Sequence, residues 1–145
     1  MLRKLSIVAA VVVLMLGVAQ FVQPDRSNPP VDPSATFEAV ARPAPQVAGL
    51  VRRSCRDCHS DQTVWTWYSN VSPVSWMVAS DVNRGRTKLN FSRWNIYGEE
   101  MTQVKLRDAC EQVKSGRMPL GHYLLMHPEA RPAADDISAV CLAAQ

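Results

Sequence analysis

Strand signals are missing from this 145-residue chain. No stretch alternates apolar and polar residues over a useful length, so a sheet-based domain is not expected. No internal repeat appears either, which excludes solenoid and propeller architectures. Basic blocks are lacking: 16 Lys and Arg stand against 13 Asp and Glu. Arg3 and Lys4 precede a long apolar run, and without them 14 basic residues face the same 13 acidic ones. A nucleic-acid partner needs a concentrated basic face, so none is indicated. Histidine is scarce, at three residues, with no second Cys-x-x-Cys and no His-x-x-x-His pair, which leaves a structural zinc site short of ligands. No acid, base or nucleophile constellation stands out, so an electron carrier is expected before a catalyst.

What is present begins with LSIVAAVVVLMLGVAQFV, Leu5 to Val22, which holds no charge and one glycine. As a helix it spans about 27 Å, close to the roughly 30 Å hydrocarbon core of a bilayer. No polar face interrupts it, so a buried helix of a soluble core is disfavoured. A cleaved secretory signal ending near Gly17-Val18-Ala19 competes with an uncleaved anchor. The run continues through Phe21 and Val22, and this extra length favours the anchor. With Arg3 and Lys4 on the short N-terminal side, the remainder is expected outside the cytoplasm. The expected localisation is therefore a membrane, with the remainder of the chain on its extracytoplasmic side.

Residues 23–45, QPDRSNPPVDPSATFEAVARPAP, hold six of the ten prolines and show no helical or strand period. They are expected as a stiff, extended tether. The domain proper is expected over 46–145, all-α, with short helices and long loops. Val47, Leu50, Val51 and Cys55 keep one helical face leading into SCRDCHS. A second helix is expected from Pro73 to Asn83, with Gly85 as its stop. A third runs from Glu99 to Ser115 and is closed by Gly116. The last starts at Pro132 and carries Ile137, Val140, Cys141 and Ala144 as one stripe.

In SCRDCHS, two cysteines stand two residues apart with a histidine directly after the second. A thiol-disulfide catalyst would want a strand before the motif and a helix starting at its first cysteine. Here a helix precedes it. Covalent haem c fits better: Cys55 and Cys58 as thioethers and His59 as the proximal iron ligand, because one helical turn with two tethered cysteines presents the next side chain to the iron.

A sixth ligand would come from far along the chain. Met118, in SGRMPL between two helices and beside Pro119, is the best placed. A thioether opposite histidine raises the reduction potential and suits electron transfer. His122 and His127 are rival ligands. Trp65, Trp67, Tyr68, Trp76 and Trp94 form a candidate haem wall, with simple core packing as the alternative for each. Arg84, Arg86, Lys88 and Asn90 are candidate propionate partners or a solvated turn. Cys110 and Cys141 lie on the apolar faces of helices flanking the Met118 loop, and in an oxidising compartment a disulfide between them would clamp it.

Taken together, RSNPP, CRDCHS, WTWYS, SPVSW, DVNRGR, LNFSRW, GRMPL and YLLMHPEA resemble the bacterial membrane-anchored haem-binding-domain proteins, a group related in plan to cytochromes c. The similarity covers roughly Asp25 to Ala130. It implies one c-type haem at Cys55, Cys58 and His59 and a helical fold, and it adds support for Met118. Thr66 departs from the proline often found between the two tryptophans. The Cys110 and Cys141 pair is not part of the resemblance.

The expectation is a membrane-tethered monohaem cytochrome c passing single electrons between redox proteins. Its rivals are a haem sensor or small catalyst with an exchangeable sixth ligand, and an accessory haem subunit of a respiratory or photosynthetic complex.

Overall fold

The computed structural model describes all residues, Met1 to Gln145. It is all-helical, with one apolar N-terminal helix, α1 (Leu2–Ala19), whose mean hydropathy of 2.1 and 18-residue length suffice to cross a membrane. None of α1 is buried against the rest of the chain.

The remaining helices are α2 (Phe37–Ala41), α3 (Pro45–Leu50), α4 (Arg56–His59), α5 (Val74–Lys88), α6 (Glu99–Lys114), α7 (Gly121–Met126) and α8 (Ala134–Leu142), of which α5 and α6 are long and the others short. α3 runs into α4 through a single π turn, Val51–Cys55, closed by the Arg56 N–H on the Val51 carbonyl. Such turns insert one extra residue and occur often at functional positions. α8 packs across α3 and α6, while α5 packs on α4.

The centre is aromatic. Phe37 meets Trp94 edge-on at 4.5 Å and Phe91 at 5.3 Å, and Phe91 stacks on Trp94 at 5.5 Å. Val47, Val51, Leu106 and Ala144 complete this cluster. Phe37 belongs to the segment expected to be a bare tether, yet it is 1% exposed. Thr36 caps its helix, the side-chain oxygen accepting from the Ala39 N–H. The same segment is bonded to the domain elsewhere: Arg26 donates to the Ser69 carbonyl at 2.7 Å and Asn28 to that of Thr63 at 2.9 Å.

α5 continues five residues past Asn83, to Lys88, and passes through Gly85 rather than stopping at it. α6 does end as its glycine suggests. Gly116 adopts φ +71°, its N–H bonds the Val113 carbonyl, and the Arg117 N–H bonds that of Gln112. That pair of bonds satisfies the orphan carbonyls of the last turn in a Schellman motif. The Met118 N–H shares the Gln112 carbonyl at 3.1 Å, so the turn fixes where the methionine leaves the helix.

Cys110 of α6 and Cys141 of α8 form a disulfide across a sequence separation of 31. The chain-entropy model gives such a loop about 3 to 4 kcal/mol. Replacing both cysteines by serine is expected to lower unfolding stability by about that amount in chemical denaturation. An unchanged midpoint would show that packing of α6 on α8 suffices without the bond.

Candidate functional site

The π turn and α4 deliver Cys55, Cys58 and His59 in one short helical stretch. Cys55 and Cys58 are free thiols, in contrast to the bonded pair at Cys110 and Cys141. Burial pushes the Cys55 thiol up to about 12, with the neighbouring Cys58 adding to it. Burial likewise pushes Cys58 up to about 11, reinforced by Asp57 and Asp81. Thiols held protonated at neutral pH are poor nucleophiles, which argues against disulfide exchange.

His59 is oriented by its neighbours. Its Nδ1 donates to the Leu89 carbonyl at 3.1 Å, so Nε2 carries the free lone pair. A backbone acceptor on the far nitrogen is the usual way a ligating histidine is held in one tautomer. Burial keeps its imidazole below the usual range, against the raising influence of the Leu89 and Gly85 carbonyls. Neutral imidazole is the form that binds a metal.

Leu89 reaches that position because α5 crosses close to α4 at Gly85. A Cβ there would lie 2.3 Å from the Cys58 carbonyl oxygen. The segment after His59 is pinned as well. Asp61 is buried, accepting from Arg93 Nε at 2.6 Å and Asn90 Nδ2 at 2.9 Å. Arg86 donates to the Ser60 carbonyl at 2.8 Å and the Asn28 side chain at 2.7 Å. Arg86, Asn90 and Arg93 are thus engaged in structure, and Arg84 pairs with Asp81 at 2.5 Å. Neither Gly85 nor Asp61 announces this role in the sequence, where one reads as a helix stop and the other as an ordinary polar residue.

Two cavities flank the motif. One, of about 20 Å³, touches Cys55 and is walled by Leu50, Phe91, Trp94 and Leu106. The other, of about 360 Å³, touches Cys58 and is walled by Trp67, Tyr68, Val78, Tyr123 and Leu125 among others. Small-molecule sites run from about 300 to 1,000 Å³, so the second is the one of ligand size.

The expected aromatic wall therefore divides. Trp67 and Tyr68 line the large cavity and Trp94 the small one. Trp65 and Trp76 line neither; the Trp76 indole instead donates to the Val22 carbonyl at 2.6 Å. The indole N–H groups of Trp65 and Trp94 are buried without a partner.

Met118 is half-buried and lines neither cavity. The two rival histidines line the large one; His127 has both ring nitrogens engaged and His122 one. His127 Nδ1 donates to Glu129 at 3.2 Å and its Nε2 accepts from the Tyr68 hydroxyl at 2.6 Å. His122 Nε2 donates to Asp81 at 2.7 Å. Tyr123 stacks on His127 with centroids 4.3 Å apart and donates to Asp57 at 2.9 Å. No group of three His, Cys, Asp or Glu side chains is arranged to hold a metal ion by itself.

Unpaired thiols two residues apart, a half-buried histidine with one committed nitrogen and a ligand-sized, largely apolar chamber beside Cys58 define a helical domain built to hold a prosthetic group. The chain belongs to the haem-binding-domain family: the model described as "Haem-binding domain" matches residues 14–144, from within α1 to beyond α8. Haem is the cofactor this membership supports. Comparison with curated proteins and with solved structures finds no match.

The residues present fit haem. Two sulfurs within one turn can take two thioether bonds, His59 Nε2 is free, and the cavity at Cys58 has apolar and aromatic walls, with His59 itself outside the lining of either cavity.

Proposed function

We propose that the protein is a membrane-tethered monohaem c-type cytochrome that carries single electrons on the outer face of the cytoplasmic membrane. The observation that carries this is the pairing of two free thiols with His59, whose Nδ1 is spent on Leu89 and whose Nε2 is left for iron. Cys55 and Cys58 supply the sulfurs of covalent attachment. His59 supplies the proximal nitrogen, and Leu89 keeps its ring in one tautomer. Haem c, when bound, supplies a one-electron iron couple. Met118 is the distal ligand of this reading: it follows the fixed turn at Gly116, whereas His127 has both nitrogens bonded and His122 is held by Asp81 through Nε2. A thioether there favours the reduced state and a high potential.

A second reading has one observation in its favour. Met118 lines neither cavity, while the chamber beside Cys58 presents Tyr68, His127 and Tyr123. A sensor or small catalyst with an exchangeable sixth ligand would use such groups.

Met118→Ala separates the two. The full chain, produced in a host that attaches haem c, is expected to be low-spin, with a weak iron-thioether band and no response to carbon monoxide. The variant should become high-spin and bind carbon monoxide, with a lowered potential. If the unaltered protein already binds carbon monoxide and the variant's spectrum is the same, the exchangeable-ligand reading replaces electron transfer. A protein isolated without covalent haem would end both.

A further inference from the structure

The large cavity has an apolar rim that the fold leaves uncovered. Val64, Trp67, Met77, Leu125 and Met126 all line it and are all exposed, Trp67 to 72% and Leu125 to 81%. Exposed apolar residues scattered singly need no explanation, but several around one opening mark a contact surface. The cavity lining includes no lysine or arginine.

What adjoins this surface is the end of α1. Gln20 donates from Nε2 to the Leu16 carbonyl at 2.9 Å and to the Ser72 carbonyl at 3.0 Å, and its Oε1 accepts from the Ser72 N–H at 3.0 Å. Gln23 donates to the Ser72 hydroxyl at 3.2 Å, and the Trp76 indole donates to the Val22 carbonyl at 2.6 Å. Ser72 is thus within one side chain of the last turn of α1. The stretch from Trp67 to Met77, which includes Ser72 and Trp76, carries two rim residues of the cavity. A domain joined in this way does not stand off on a free tether.

We propose that this apolar face, Trp67 and Met77 together with Leu125 and Met126, is a bilayer-docking surface that lies in the headgroup–acyl boundary, so that the chamber beside Cys58 opens toward lipid. The proposal rests on reading α1 as a membrane anchor. Residues hydrogen-bonded to the last turn of a spanning helix lie at the depth where that helix leaves the hydrocarbon. Tryptophan is favoured there, with its ring in the apolar layer and its N–H on a polar acceptor. With no basic residue on the rim, the contact is driven by apolar burial and not by anionic headgroups.

The test places p-benzoylphenylalanine, one position at a time, at Leu14, Trp67, Met77 and Leu142 of the full chain in phosphatidylcholine vesicles, followed by irradiation and mass spectrometry of lipid adducts. Leu142, on α8, is similarly exposed and lies outside the cavity lining. Adducts are expected at Leu14, Trp67 and Met77, several-fold above Leu142. Lipid capture at Leu14 with Trp67 and Met77 no higher than Leu142 would refute the docking surface while leaving the anchor intact. Capture of a second chain in place of lipid at Trp67 would give the face to self-association and also overturn the proposal. No capture at Leu14 would remove the anchor, and the docking surface with it.

Discussion

Alanine at position 85 is expected to destabilise the domain by about 1 to 3 kcal/mol or more, the range for overpacking a closely fitted contact. Its Cβ would sit 2.3 Å from the Cys58 carbonyl oxygen, 2.9 Å from the carbonyl carbon and 3.3 Å from the Cys58 Cβ. The two nearest of these are backbone atoms, which cannot rotate aside. Relief requires α5 to move away from α4 by on the order of 1 Å in a densely packed region. Helix propensity acts in the opposite direction, since alanine is about 1 kcal/mol better than glycine inside a helix. The sign of the change therefore decides between close approach and ordinary helix. Gly49→Ala in α3 is the control, because its Cβ would meet only the end of the Arg53 side chain at 3.9 Å. That variant is expected to be neutral or stabilising. Moving α5 also moves Leu89, whose carbonyl holds His59 Nδ1. Covalent haem yield should accordingly fall in Gly85→Ala and not in Gly49→Ala. A Gly85→Ala chain that unfolds at a higher denaturant concentration than the unaltered protein would refute the close contact.

How far the sequence is legible depends on whether a feature is local. The apolar run of α1 needs only length and composition, and α1 covers most of it, starting at Leu2 and ending at Ala19, short of the Phe21 and Val22 that the expectation included. α6 and α8 follow from helical spacing, and the end of α6 from a glycine at positive φ. The proposal for Cys55, Cys58 and His59 can be made from the sequence because its three chemical groups fall within one turn. What escapes is set by partners distant in the chain. Gly85 looks like a helix stop because its meaning lies in the backbone of Cys58, 27 positions earlier. Trp76 looks like part of an aromatic wall, yet its indole is spent on a carbonyl just past α1. Asp61 reads as one more polar residue, and only the fold brings Arg93, Asn90 and Arg86 around it. The proline content of 23–45 conceals a single aromatic that the core requires.

That aromatic, Phe37, carries the second large effect. It is 1% exposed and touches both Phe91 and Trp94, the former beside His59 with ring centroids 6.5 Å apart. Truncating a buried phenylalanine to alanine removes its burial and leaves a cavity, at about 3 to 5 kcal/mol. A domain with about 5 to 15 kcal/mol of total stability loses a large share of it by that change. Phe37→Ala is therefore expected to lower the unfolding midpoint steeply, whereas Val40→Ala, on the exposed face of the same five-residue helix, should change it little. The contrast separates two roles for residues 23–45. A tether has no fixed partners, so both substitutions would then be alike and near zero. A segment whose aromatic closes the core makes them differ by several kcal/mol, and a chain beginning at Gln46 would then fail to give a cooperative transition. Equal midpoints for Phe37→Ala and Val40→Ala would return the segment to a linker. Unequal ones would place the start of the folded unit at or before Phe37, close enough to α1 that the haem-binding domain and this helix are joined with little slack.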